Sequence, residues 1–292
     1  MYGLKNLFIL TLLIAPVLLS GCATTYNPAT SKEEFIMIGT QEEVAIGQQV
    51  ARQIEHRFRL SDDLAQIQRV NKVGNRIASV CDRRDLQYYF KAIKNKDINA
   101  LSTPGGYVYV NTGLLDKATD DELAAVVAHE IGHIAARHAV KAMQADMAYS
   151  VIAGLIFSRV GSREIQRGAN IAMNLIMLGY SREDEFEADK LGVKYTYYAG
   201  FDPNGMITFL EKLKQEEREH PWDKSLVYLR SHPLYSDRIS KAKAEIAFLK
   251  YVTTQPPAQS AAKTKLCPKC GAEYEEWFKF CVKDGTELQN KK

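Results

Sequence analysis

Between Thr119 and about Met143 the sequence sets an apolar helical pattern against three ionisable side chains placed in its middle. Thr119-Asp-Asp-Glu122 has the form of a capping box. The helix it opens carries Ala124 to Ala128, Ile131, Ile134 and Ala135 around His129-Glu130-Ile131-Gly132-His133. Burying two histidines and a glutamate there is costly unless something compensates them. The four-residue spacing puts His129 and His133 on one face, about one turn apart, where both can offer an imidazole nitrogen to a single Zn²⁺. Glu130, beside the first, would serve as general base on the water that the metal activates. A catalytic zinc keeps one position for water, so a third protein ligand is needed. The metzincin continuation would place a glycine and a histidine at positions 136 and 139, but Ala136 and Ala139 stand there. His138, five residues past His133, is expected to point away from the pair as a solvent-facing or capping residue. The acidic helix Ser181-Arg-Glu-Asp-Glu185-Phe-Glu-Ala-Asp189 supplies the obvious candidate for the third ligand. Glu185 and Asp189 share one of its faces, so Glu185 can bind zinc while Asp189 hydrogen-bonds a ligand histidine from behind. Composition by itself does not separate Glu185 from Glu183 or Glu187.

With 46% hydrophobic and 25% charged side chains among 292 residues, the chain can bury a core of ordinary size around that helix. The net charge of +3, without a long basic run, argues against nucleic acid as a partner. Thr40-Gln-Glu-Glu43 also has the form of a capping box, opening a helix to about Phe58 through Val44, Ile46, Val50 and Ile54. A second amphipathic helix runs from about Asp62 to Val80, with Cys81 at its end as a small buried apolar residue. Then the period changes. Tyr88 to Ile93, Ile98 to Leu101 and Tyr107 to Asn111 are β-branched or aromatic runs broken by turn residues, the pattern of a small antiparallel sheet. From Ala148 to Tyr180 the chain turns apolar, with peaks at Ile152 to Phe157 and Ile171 to Leu178. Each peak is too short to span a bilayer and predicts a buried helical pair or a lipid-touching surface. Helices resume at about Arg182 to Tyr198, Pro203 to Glu217 and Ser236 to Leu249.

The two ends carry signals of their own. Lys5, an apolar run from Leu7 to Leu19 and then Ser20-Gly21-Cys22 describe an export signal over residues 1–21. Leu19-Ser20-Gly21-Cys22 resembles the bacterial lipobox, in which the cysteine is acylated, and residues 22–39 read as an irregular tether. Several acyl chains on Cys22 would hold the protein stably at a membrane. Ala23, in place of aspartate, favours the periplasmic face of the outer membrane by the sorting pattern of such lipoproteins. At the other end, a low-complexity linker over 251–265 leads to a tail, 266–292. Cys267-Pro-Lys-Cys270-Gly271 and Cys281-Val-Lys-Asp284-Gly285 resemble the two knuckles of a zinc ribbon, with Asp284 where a fourth cysteine would stand. So short a segment needs a structural Zn²⁺ or a Cys267–Cys270 disulfide to be ordered.

Three motifs in order resemble the gluzincin peptidases, the family of the CAAX prenyl protease, the membrane protease HtpX and the periplasmic BepA and LoiP proteases. They are His129-Glu-Ile-Gly-His133, then Tyr180-Ser-Arg-Glu-Asp-Glu185-Phe-Glu-Ala-Asp189, then Ser231-His232-Pro233-Leu-Tyr-Ser-Asp-Arg238. The resemblance implies a zinc metallopeptidase domain over residues 40–250: α+β, mainly helical, zincin-type, with a small antiparallel sheet. It implies His129, His133 and Glu185 as zinc ligands, Glu130 as base and Asp189 behind a ligand. It places His232 near the zinc and has His232 and Arg238 help to hold the oxyanion, and it makes Pro104 to Val110 the strand that an extended substrate would join. The transmembrane helices of the CAAX and HtpX branches are missing, which points to the soluble, lipid-anchored branch. The expected activity is hydrolysis of peptide bonds in misfolded or misassembled envelope proteins, with a latent, chaperone-like module as the alternative.

Overall fold

The computed structural model describes residues 24–152, 162–223, 225–233 and 237–254, and in the tail 264–275, 280–281, 283 and 286–290. Cys22, residues 1–21 read above as an export signal, most of the apolar peak at 152–157 and Asp284 lie outside the described residues. The chain divides into two units, Met1–Ile246 and Ala247–Lys292.

A hairpin of β1 (Thr24–Asn27) and β2 (Lys32–Phe35) is followed by α1 (Thr40–Arg57) and α2 (Leu64–Ala78). Next come β3 (Tyr89–Ile93), β4 (Ala100–Thr103), β5 (Tyr107–Asn111) and α3 (Thr112–Lys117). Then α4 (Asp120–Ala135), α5 (His138–Ile152), α6 (Ser162–Leu178), α7 (Arg182–Tyr198), α8 (Asn204–Glu219), α9 (Tyr228–Ser231) and α10 (Arg238–Thr254) complete the helices. The first unit is therefore mainly helical with a small sheet. No described helix is long and apolar enough to cross a membrane.

The sheet order is β3-β5-β4. It is mixed, which corrects the antiparallel expectation: β4 pairs antiparallel with β5, but β3 pairs parallel with it. Strand alternation reports which face is buried and is silent on direction. With β5 central, both its edges are occupied, so among the described strands the outer edges belong to β4 and to β3, the latter bridged at Ile93 to Leu60, and not to the Pro104 to Val110 segment. The tight β4–β5 link depends on Gly105 and Gly106, with φ of 75° and 98°. A Cβ on Gly106 would stand 2.3 Å from the Gln87 carbonyl oxygen.

The capping box at Thr119 forms, with Glu122 N donating to Thr119 Oγ1 at 3.2 Å and Thr119 N to Glu122 Oε2 at 2.9 Å. The box expected at Thr40 does not. Gly39 is the cap there, and Thr40 donates to Asp85 instead. Glu43 is buried between Arg83 and Arg137, each 2.9 Å from its Oε2, and charge-assisted contacts to two guanidiniums outweigh one bond to a backbone amide.

Helix α4 stops at Ala135, well short of Met143, because Arg137 takes a left-handed conformation with φ of 58°. The carbonyl exposed by this early stop is used: Asn27 of the hairpin donates to the Ala135 oxygen at 3.1 Å. The segment read as irregular tether is thus ordered from Thr24 onward. Every residue of α4 from Glu122 to Ala135 is buried. Helix α7 crosses α4 at two glycines that keep side chains out of the contact. A Cβ on Gly132 would lie 2.9 Å from the Ala188 oxygen, and one on Gly192 would lie 3.1 Å from His129 N. Helix α6 buries Ala169, Ala172 and Ile176 with Ile46, Val50 and Tyr109, and leaves Met177 and Leu178 exposed.

In the second unit, β6 (Thr264–Leu266), β7 (Glu273–Glu275) and β8 (Gln289–Asn290) form an antiparallel sheet with β6 in the centre. Cys267 and Cys281 are buried and Cys270 is exposed, and no disulfide joins the four described cysteines.

Candidate metal centre and active site

The close α4–α7 crossing decides which acidic residue meets the histidines. His129 Nε2 and His133 Nε2 face each other at 3.0 Å. Glu185 reaches over both, with its oxygens 3.5 Å from His129 Nε2 and 3.4 Å from His133 Nε2. His232 closes the group, its Nδ1 3.0 Å from Glu185 Oε1 and 3.3 Å from His129 Nε2. All four residues are buried, and one ligand atom from each lies within 4.8 Å of the others. Glu183 and Glu187 are not members of this group.

Two observations test whether a cation fits. Two imidazole nitrogens at 3.0 Å can share one proton at most, so at least one presents a lone pair to the centre. Glu130 Oε1 and Glu185 Oε2 are buried without a hydrogen-bond partner, although His232 Nε2 and Arg238 Nη1 lie within ion-pair distance of them. Two nitrogens and a carboxylate suit Zn²⁺. Burial holds the His133 imidazolium well below the usual histidine range, so the ring is neutral as a ligand must be. Burial pushes the Glu185 carboxyl up, but His232 and His133 more than offset this and hold it well below its ordinary value.

Around this group the site is braced. His129 Nδ1 meets Asp189 Oδ1 at 2.9 Å. Arg238 grips both oxygens of Asp189 at 2.7 Å, approaches Glu185 Oε2 at 3.1 Å and donates to the carbonyls of His232 and Pro233. The resemblance gave this arginine to the oxyanion. Its side chain is fully buried, and its donors are engaged by two carboxylates and two carbonyls. Glu130 Oε2 accepts a 2.7 Å hydrogen bond from Ser102 on β4, a partner no sequence pattern signalled. Tyr180 stacks on His133 and Tyr228 on His232, with ring centroids 4.1 and 4.5 Å apart.

His138 is a correction. It is buried, and its Nδ1 lies 2.8 Å from His133 Nδ1. The five-residue spacing points a side chain away only along an unbroken helix, and the turn at Arg137 brings His138 back to its neighbour.

A buried His-Glu-x-x-His helix crossed by a second helix that delivers a glutamate, beside a small sheet, defines a zincin-type metallopeptidase domain. The chain belongs to peptidase family M48, whose profile matches residues 64–246. It is 29% identical over 240 residues to the beta-barrel assembly-enhancing protease of Escherichia coli (strain K12), covering 79% of this chain and 48% of that protein. The mitochondrial metalloendopeptidase OMA1 of Schizosaccharomyces pombe (strain 972 / ATCC 24843) is 33% identical over 175 residues, 59% of this chain and 50% of that one. Metalloprotease LoiP of Escherichia coli (strain K12) is 32% identical over 152 residues, 51% of this chain and 60% of that one. The chain spans about half the length of the first of these relatives.

Proposed function

We propose that this protein is a zinc-dependent endopeptidase that hydrolyses peptide bonds of misfolded or misassembled cell-envelope proteins. The observation that carries the reading is the convergence of His129, His133 and Glu185 with Glu130 beside them. Zinc held by these three residues supplies polarisation of the scissile carbonyl and an activated water. Glu130 takes the proton of the attacking water and passes it to the leaving amine. Asp189 holds the proton of His129 on Nδ1, leaving Nε2 as the ligand atom. An extended substrate would add to the edge of β4, next to Glu130. In the tail, Cys267, Cys270 and Cys281, with Asp284 as fourth ligand, hold a structural zinc.

Elemental analysis of the full chain is expected to find about two zinc ions, by the three-ligand and four-ligand logic of catalytic and structural sites. One is lost in His129→Ala/His133→Ala and the other in Cys267→Ser/Cys270→Ser. Casein hydrolysis stops with the first of these losses or with chelator. A zinc content undiminished in the histidine variant, or casein hydrolysis that survives chelation, rejects the catalytic assignment; a single zinc rejects the tail site.

The lipid on Cys22 would place the enzyme in the cell envelope, at the periplasmic face of the outer membrane. Cys22→Ser protein is expected in the soluble fraction after high-salt washing, and its retention on membranes would move the anchor to the apolar 148–180 region.

One observation favours a second, compatible reading in which the resting enzyme is latent and serves chiefly as a chaperone-like or binding module. The crevice between β4 and Leu175, Ile176 and Tyr180 leaves about 10 Å³, room for about one water, and His232 occupies the fourth corner of the ligand group. A latch predicts that His232→Ala raises casein turnover. A fall of roughly a hundredfold would instead make His232 an oxyanion donor.

A further inference from the structure

Each ligand histidine has a second ring nitrogen, and the two are held differently. For His129 the partner is a carboxylate, Asp189. His133 has no carboxylate at that position: its Nδ1 meets Nδ1 of His138 at 2.8 Å. The far nitrogen of His138, Nε2, reaches Glu187 Oε2 at 3.2 Å and Asp184 Oδ1 at 3.4 Å, both on α7. We propose that His138 is the positioning residue of His133, and that Glu187 acts through it, so that a carboxylate, an imidazole and the ligand imidazole form one relay ending at the metal. This rests on the zinc-centre reading above.

The argument is one of tautomers. A neutral imidazole carries one proton, and two ring nitrogens 2.8 Å apart must have one proton between them. If that proton belongs to His138, then His133 carries its own on Nε2, pointed at His129 Nε2 and into the metal position. If it belongs to His133, Nε2 is free to bind, and His138 must present a lone pair at Nδ1 and keep its proton on Nε2. Glu187 selects the second arrangement, because its carboxylate can only accept there. The same logic serves His129 with Asp189, one ring shorter. The relay is built into the fold: His138 is buried, the left-handed turn at Arg137 aims it, and Tyr180 stacks at 20° to the His133 ring and fixes its plane. Glu187 is in turn 3.3 Å from Lys32 of the N-terminal hairpin. Glu187, open by composition as a possible zinc ligand, thus supports the other histidine at one remove.

The test is zinc affinity, read without activity. Full-length protein carrying Cys267→Ser/Cys270→Ser, so that the catalytic site is titrated by itself, is stripped of metal and titrated with zinc against a chromogenic chelator. Loss of an orienting partner of a metal-ligating histidine costs about 10- to 100-fold in affinity, and His138→Leu is expected to fall in that range. Glu187→Gln keeps an acceptor oxygen but loses the charge, and is expected to weaken binding about tenfold. His138→Asn, whose side-chain oxygen can still accept from His133 Nδ1, recovers most of the loss, which a mere packing role would not predict. If His138→Leu does not fold, the Glu187→Gln titration decides the matter. Wild-type affinity in Glu187→Gln, or in His138→Leu where it folds, overturns the relay, as does a folded His138→Asn that binds zinc as weakly as the relay predicts for His138→Leu. A parent protein that binds no zinc overturns the metal centre instead.

Discussion

Full-length protein carrying Glu130→Gln is expected to keep its zinc while peptide hydrolysis falls by about 10²- to 10⁴-fold, the range that a positioned general base contributes. Glutamine has the shape of the glutamate and can still accept the hydrogen bond from Ser102 through its amide oxygen, so the site should not collapse. What it lacks is basicity. The buried Oε1 of Glu130 makes no hydrogen bond and can take a proton, whereas of the neighbouring carboxylates Glu185 faces His129 and His133 and Asp189 is clamped by Arg238. Turnover of a quenched fluorescent peptide and zinc content measured on the same preparation check both halves. A variant that retains zinc and turns over within about tenfold of the parent would place the base elsewhere.

Arg238→Met is expected to cost about 3–5 kcal/mol of stability in the zinc-loaded protein, the usual cost of removing one partner from a buried ion pair. The guanidinium is fully buried and makes paired 2.7 Å contacts with Asp189. Burial alone would lower its pKa, but Asp189 and Glu185 raise it above the ordinary arginine value, so it stays charged. Burial likewise pushes the Asp189 carboxyl up, and Arg238 more than offsets this and holds it below its ordinary value. Removing the arginine strands the Asp189 charge. Urea unfolding measures the loss, and adding Asp189→Asn to Arg238→Met should recover part of it, since the stranded charge is then gone. Unchanged stability with a turnover loss of about a hundredfold would return Arg238 to the oxyanion role that the family resemblance gave it.

What could be read from the sequence follows the range over which each feature is set. Thr119 caps its helix because the box closes within one turn. His129 and His133 share a face, as do Glu185 and Asp189, because the helical period dictates it. The mainly helical class was legible for the same reason, in apolar spacings such as Ile46, Val50 and Ile54. The mispredicted features depend on partners distant in the chain. Thr40 and Glu43 have the letters of a capping box, but Arg83 and Arg137 claim the glutamate. The direction of β3 against β5 leaves no mark in either strand. The fate of His138 hangs on the backbone of Arg137, a residue type without a turn preference strong enough to predict.

By itself, then, the sequence determined the parts of the candidate metal centre that lie within single helices: the shared face of His129 and His133, the Glu130 beside them and the shared face of Glu185 and Asp189. Tertiary structure decided how those parts meet. Gly132 and Gly192 let α4 and α7 approach closely enough for Glu185, and not Glu183 or Glu187, to reach the histidines. The same packing set Arg238 against Asp189 and Ser102 against Glu130, and folded His138 behind His133. The physical reason is that helical spacing is fixed by covalent geometry and backbone hydrogen bonds over a few residues. The partner of a buried charge is chosen by desolvation, which does not exist until the whole core has closed around it.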